Sequence, residues 1–144
     1  MNDLIFNGIG IAETGTRTAI KVRNFNLIVD EPEELGGTDL SANPVEYILA
    51  GFAGCVNVVA NITAKELGIT IKRLEVEVTG NLNPNRFLGT DFSERAGYKS
   101  IELTINADVD ANEELKSEWL EQIQQRCPVS DNLSNPTNVQ LNLN

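Results

Sequence analysis

A chain of 144 residues with 41% hydrophobic content is long enough for a real core and reads as a single domain over 1–144. Its formal net charge of −10 lacks the basic surface that general binding to nucleic acid or anionic lipid needs, so neither is expected as a partner. With no histidine, the chain can build no Ser-His-Asp triad, no Cys-His pair and no histidine-liganded metal, and two cysteines far apart in sequence cannot alone hold zinc.

The first residues, Met1-Asn2-Asp3-Leu4, show neither the positive nor the apolar stretch of a signal peptide. The longest apolar run, Tyr47 to Ala60, is interrupted by Asn57 and reads as too short to span a bilayer. A cytoplasmic protein without a membrane partner is expected. Residues 4–12 and 18–29 read as two strands joined at Glu13-Thr14-Gly15-Thr16-Arg17. In the second, Ile20 and Val22 alternate with polar neighbours, and the alternation changes phase near Asn24, which predicts a bulge or bend. Arg23 falls within that strand, where a solvated side chain is expected. The acidic stretch Asp30-Glu31-Pro32-Glu33-Glu34 opens a solvated loop that runs through Gly36 and Gly37 to Asp39.

A long helix follows from Asn43 to Gly68. Asn43 suits the N-cap, Pro44 the first helical position, and Glu46 the reciprocal place in a capping box. Gly68 can take the left-handed conformation that stops it. Val45, Ile48, Leu49, Phe52, Val56 and Val59 recur at the spacing of a buried helix face, with Cys55 one turn from Phe52 and Val59. Gly51 and Gly54 weaken the helix locally, and the reason expected is close approach of another backbone.

Leu74, Val76 and Val78 alternate as a half-buried strand. Residues 80–98, with Gly80, Pro84, Gly89 and Gly97, form a long loop of the kind that serves function or partners. Ile101, Leu103, Ile105 and Ala107 give the next strand, and Asp110 with Glu113 caps a second helix carrying Leu115, Trp119 and Ile123 towards the core. Pro128 ends that helix at Cys127, and Val139, Leu141 and Leu143 alternate as a closing strand. The order β-β-α-β-β-α-β describes an α+β fold with antiparallel sheets around the long helix.

The chemistry rests on the two thiols. Cys127 stands before Pro128 at the start of a short helix, where free amides and the helix dipole favour a thiolate and where it is expected to be the better exposed of the two thiols. Cys55 lies mid-helix, where burial raises a thiol pKa, so it needs a cation. Arg17 and Arg23, in the first hairpin, are the candidates by topology; an arginine is always protonated and can also orient a peroxide oxygen. A Cys55 thiolate would attack an O–O bond, form a sulfenic acid and condense with Cys127. That step requires sulfurs within disulfide reach, with Cα atoms roughly 4.4–6.8 Å apart. Phe52 would wall the bound substrate.

Three segments carry a resemblance: Asp30-Glu31-Pro32-Glu33-Glu34-Leu35-Gly36-Gly37, then Asn43-Pro44-Val45-Glu46-Tyr47-Ile48-Leu49 running into Ala53-Gly54-Cys55, and Cys127-Pro128-Val129-Ser130. Together they resemble the OsmC/Ohr family of osmotically induced and organic hydroperoxide resistance proteins, over essentially the whole chain. The resemblance implies an intertwined homodimer with the long helices at its centre. It further implies thiol-dependent reduction of organic hydroperoxides, often with lipoylated or other dithiol reductants and without metal or cofactor. On that pattern Cys55 is the peroxidatic and Cys127 the resolving cysteine. Arg17 is the better match to the family's arginine and Arg23 the alternative. The peroxidase branches pair that arginine with a carboxylate directly after the helix-starting proline. Here that position is Val45, and Glu46 lies one step on, rotated about 100° round the helix, so Glu46 reads as a cap before it reads as a catalytic acid. The chain resembles the OsmC-like branch more than the best-defined peroxidases. A redox-sensing or small-molecule-binding protein without efficient turnover is the alternative function, and a disulfide reductase is disfavoured by the missing C-x-x-C.

Overall fold

β1 (Ile9–Ala12), β2 (Thr18–Val22) and β3 (Phe25–Val29) pair antiparallel in sequence order in the computed structural model, which describes Met1 to Asn144. The chain divides into two units, Met1–Ile48 and Leu49–Asn144. In the first unit the expected strand over 4–12 pairs only from Ile9, and Leu4, Ile5 and Phe6 remain exposed. The expected strand over 18–29 is two strands. Val22 pairs with Phe25, so Arg23 and Asn24 form a two-residue turn, with Arg23 in the left-handed region at φ 53°. The change of phase near Asn24 therefore marks a hairpin and not a bulge. Neither residue is glycine, which is why the usual two-residue hairpin signal is absent.

After β3 the chain folds back over a short 3-10 turn, Glu33–Leu35. Asp30 is fully buried here, which departs from the solvated acidic loop expected of 30–34. Its carboxylate accepts from the Thr38 hydroxyl at 2.5 Å and from the backbone N–H groups of Glu31, Thr38 and Leu40. Gly37 makes the tight return possible, because a Cβ there would lie 1.7 Å from the Glu31 carbonyl oxygen. Tyr47 anchors the next element by donating its hydroxyl proton to the Ile28 carbonyl at 2.7 Å.

α1 runs Pro44–Leu67. Its capping box forms as the sequence predicts: Glu46 N–H donates to Asn43 Oδ1 at 2.9 Å, and Asn43 N–H to Glu46 Oε2 at 2.8 Å. Gly68 ends it at φ 71°. At 24 residues and mean hydropathy 1.6, α1 is long and apolar enough to cross a membrane by those measures, in contrast to the shorter run counted from the sequence. One side of it packs into the core. Val56, Val59, Ala60 and Ala64 are buried with Trp119, Ile123 and Cys127 in the core of the second unit. Ile48, expected on the buried face, is exposed, and so are Val58 and Ile62. Cβ atoms built at Gly51 and Gly54 would meet nothing within 4 Å, so no backbone of this chain approaches them.

β4 (Thr70–Asn81) and β5 (Ser100–Asp110) form an antiparallel two-stranded sheet. The register shifts between Ile71 and Arg73. This extra residue keeps Ile71 and Leu74 on one face although they are an odd number of positions apart. The connecting loop holds Arg86 over the Phe92 ring, with Arg86 donating to the Phe92 and Glu94 carbonyls.

α2 (Glu113–Arg126) is capped by Asn112, whose Oδ1 accepts from Leu115 N–H at 2.9 Å. The expected caps have other roles, since Asp110 ends β5 and Glu113 is already helical. Trp119 packs in the core and donates Nε1–H to the Ala60 carbonyl at 2.9 Å, locking α2 on α1. Arg126 and Glu66 pair at the ends of the same two helices. Cys127 is the last residue of α2's boundary and the cap of α3 (Pro128–Ser134). The expected closing strand does not form. Val139, Leu141 and Leu143 are exposed and irregular, because alternation alone makes no strand where no partner edge accepts it.

Candidate active site

The two cysteines meet where α2 gives way to α3. Pro128 forbids continuation of α2, since it has no N–H to donate and its ring crowds the preceding turn. The chain turns at Cys127 and restarts as α3, which aims Cys127 at the middle of α1. Its Sγ lies 2.9 Å from Cys55 Sγ. Both cysteines are free thiols. The first amides of α3 face this pair: Ser130 N–H donates to Cys127 Sγ at 3.4 Å, and Val129 N–H hydrogen-bonds Cys55. Burial, and then the thiol of Cys127, push the Cys55 pKa up, and the Val129 amide pulls the other way.

Accessibility is the reverse of the sequence expectation. Cys127, expected to be the better exposed thiol, is 2% exposed, whereas Cys55 is half-buried. Cys127 becomes buried because α3 folds back over it, joining it to Trp119 and Ile123 in the core.

A cavity of about 260 Å³ opens against Cys127. Phe52 lines it, together with Leu103 and Ile105 of β5, Leu120 of α2, and the polar Gln124 and Ser130. The β5 and α2 side chains were not singled out as site residues. Their signal was present in the inward alternation of β5 and the stripe of α2, but both patterns read equally as core.

The remaining predicted residues belong to the first unit. Arg17 closes the turn between β1 and β2, pairing with Glu13 at 3.0 Å and donating its N–H to Thr14 Oγ1 at 2.8 Å. Arg23, expected within a strand, sits in the β2–β3 turn with its guanidinium over the Phe25 ring at 5.0 Å. Glu46 is held in the capping box. Among the side chains there is no cluster of three or more Cys, Asp or Glu able to hold a metal ion.

The chain is thus an α+β fold whose two thiols touch beneath a helix-capping turn, beside an apolar cavity. Residues 37–142 match the profile of the family described as OsmC-like protein, and the chain belongs to that family. It is 28% identical over 101 residues to a hydroperoxide reductase of Mycoplasma pneumoniae, covering 70% of this chain and 68% of that one. Its fold is that of an OsmC-like protein from Mycoplasma pneumoniae, with TM-score 0.80 and 22% identity over 92% of this chain and 89% of the other. An organic hydroperoxide resistance protein from Elizabethkingia anophelis shares it at TM-score 0.66 and 22% identity, over 90% and 88% of the two chains.

Proposed function

We propose that this protein is a two-cysteine peroxidase that reduces organic hydroperoxides. The observation that carries the reading is the 2.9 Å separation of the two sulfurs. The Cys55 thiolate attacks the terminal oxygen of the hydroperoxide. The O–O bond breaks, the alkoxide leaves and takes a proton to become an alcohol, and Cys55 is left as a sulfenic acid. The Cys127 sulfur then attacks the Cys55 sulfur, and the sulfenic hydroxyl leaves as water with the Cys127 proton. A dithiol, such as a lipoylated protein, reduces the resulting disulfide and is itself oxidised.

Burial raises the Cys55 pKa, so the first step needs a cation. The resemblance assigns that task to Arg17, with Arg23 as the control. Homodimerisation and a cytoplasmic location belong to the same reading. A second reading reverses the two thiols, and is favoured by the cavity opening on Cys127.

Stopped-flow oxidation of three variants, with mass spectrometry of the products, separates these readings. On the primary reading Cys55→Ser consumes no cumene hydroperoxide. Cys127→Ser is oxidised once, leaving a sulfenic acid on Cys55 that dimedone traps. Arg17→Gln slows the first oxidation, whereas Arg23→Gln does not. If Cys55→Ser reacts at the wild-type rate and Cys127→Ser does not react, the roles are reversed. If the wild-type protein consumes no hydroperoxide, sensing or binding without turnover replaces catalysis.

A further inference from the structure

The sulfur pair is also equipped for a chemistry that involves no oxidation. Cys55 Sγ and Cys127 Sγ stand 2.9 Å apart as free thiols, and two converging thiols form a chelate. Their surroundings decide what they can hold. The chain has no histidine, and no cluster of three or more Cys, Asp or Glu exists to complete a coordination shell. Zinc, which takes four such ligands, is therefore poorly served. A linear two-coordinate ion such as Cu(I) asks for sulfurs on opposite sides of it, about 4.6 Å apart at a bond length of ~2.3 Å. A pyramidal centre, whose bonds meet at little more than a right angle, asks for only about 3.4 Å at the same bond length. The pair stands within about half an ångström of that spacing.

Trivalent arsenic carrying one carbon substituent is such a centre: soft, pyramidal and satisfied by two sulfurs. As an arsonous acid it is neutral, and no charged side chain lines the cavity beside Cys127. That cavity, of about 260 Å³, is walled mainly by Phe52, Val56, Leu103, Ile105 and Ile123. Roughly 150 Å³ of apolar space suffices to hold a benzene ring, so the third substituent has a place to go. These walls and both thiols lie within the second unit.

We propose that Cys55 and Cys127 form a chelating site for trivalent organoarsenicals, with arsenic bridging the two sulfurs and an aryl group in the cavity. Each As–O bond of the arsonous acid is replaced by an As–S bond. Each hydroxyl leaves as water with one thiol proton, and arsenic and sulfur keep their oxidation states. Burial and the Cys127 thiol push the Cys55 pKa up, so its proton is in place for that exchange. The site needs no hydroperoxide and stands apart from the peroxidase reading.

The test uses the reduced full chain and phenylarsine oxide. Intact-mass spectrometry should show one phenylarsenic group gained per chain and two hydrogens lost, and thiol titration should find both cysteines consumed. The adduct should survive millimolar glutathione, a monothiol, and be removed by 2,3-dimercaptopropanol, a dithiol. Cys55→Ser and Cys127→Ser each lose the chelate, and affinity falls at least about a hundredfold in either. A single-sulfur adduct in wild type, or an undiminished affinity in either serine variant, overturns the proposal.

The aryl seat is read separately, by competition against dithiothreitol, which carries the intrinsic preference of each arsenical for thiols. Relative to that competitor, the protein should favour phenylarsine oxide over methylarsonous acid by about tenfold, the order expected of burying a ring in place of a methyl group. Ile105→Phe, which fills the cavity, should erase the preference and leave the methyl compound bound. Equal preference in wild type overturns the cavity as the aryl seat. A wild-type chain that binds the arsenical and consumes no hydroperoxide overturns the peroxidase reading and leaves the chelating site standing.

Discussion

Asp30 carries a negative charge with no exposure because four donors converge on it. The Thr38 hydroxyl, followed by the surrounding backbone amides, holds its pKa well below the usual carboxylate range. A depressed folded-state pKa contributes stability that is complete above the unfolded-state value of 3.8 and disappears as pH falls towards the folded-state value. The melting temperature should therefore be flat with respect to this group at neutral pH and drop below about pH 4. Asp30→Asn should melt lower than wild type at pH 7, with the gap narrowing in acid. Thermal scans from pH 7 to 2.5 check this, and a gap independent of pH would mean that the Asp30 charge is not what the loop binds. Nothing in the run Asp30-Glu31-Pro32-Glu33-Glu34 distinguishes the buried acid from its solvated neighbours. The distinction comes from Thr38 and Leu40, eight and ten residues on, and local reading does not reach them.

At the scale of elements, the helix boundaries were legible wherever a short-range rule fixes them. Asn43, Pro44, Glu46 and Gly68 define α1, and all four do what their types dictate. The cap of α2 was misread by two residues because Asp110, Asn112 and Glu113 are all good end residues, and only the end of β5 decides among them. The closing strand failed for a related reason: alternation reports a face, whereas a strand also needs an edge to pair with. The meeting of Cys55 and Cys127 was expected from the condensation chemistry and the resemblance, whereas Pro128 by itself marks only the end of α2. Which thiol would be covered was not legible, because it depends on how α3 folds back. Glu46 is the residue whose role this scale decides. If it serves only the helix, Glu46→Ala should lower stability by about 0.5–1 kcal/mol, as for the loss of a cap. Peroxide consumption per folded molecule should be unchanged, and Glu46→Gln, which can keep the box, should be nearly silent. Denaturant melts beside initial rates read both quantities, and a slowed oxidation in stably folded Glu46→Gln would make the carboxylate part of the chemistry.

The whole chain leaves apolar surface that its own packing does not cover. On α1, Ile48, Val58 and Ile62 are exposed and share a side with Gly51 and Gly54, next to which no other part of this chain comes near. Helical glycines cost about 1 kcal/mol each relative to alanine, so two within one turn need a use, and close approach of a second helix is the use their size allows. In the first unit, Ile9, Ile11 and Phe25 are also exposed, and β1 and β3 are both edge strands. Unpaired edges beside apolar side chains are a hazard in a lone chain and an interface in a pair. We therefore expect a homodimer built on α1, burying on the order of 2,000 Å² or more in total, as obligate interfaces do. Sedimentation at micromolar concentration should show a single dimeric species. Val58→Lys sets a charge in the middle of the exposed stripe without touching the buried side of α1 at Val56, Val59 and Ala60. It should yield monomer, or a chain that melts at a temperature dependent on its concentration. A wild-type protein that sediments as a monomer would leave Gly51 and Gly54 without a physical reason and would refute the α1 interface.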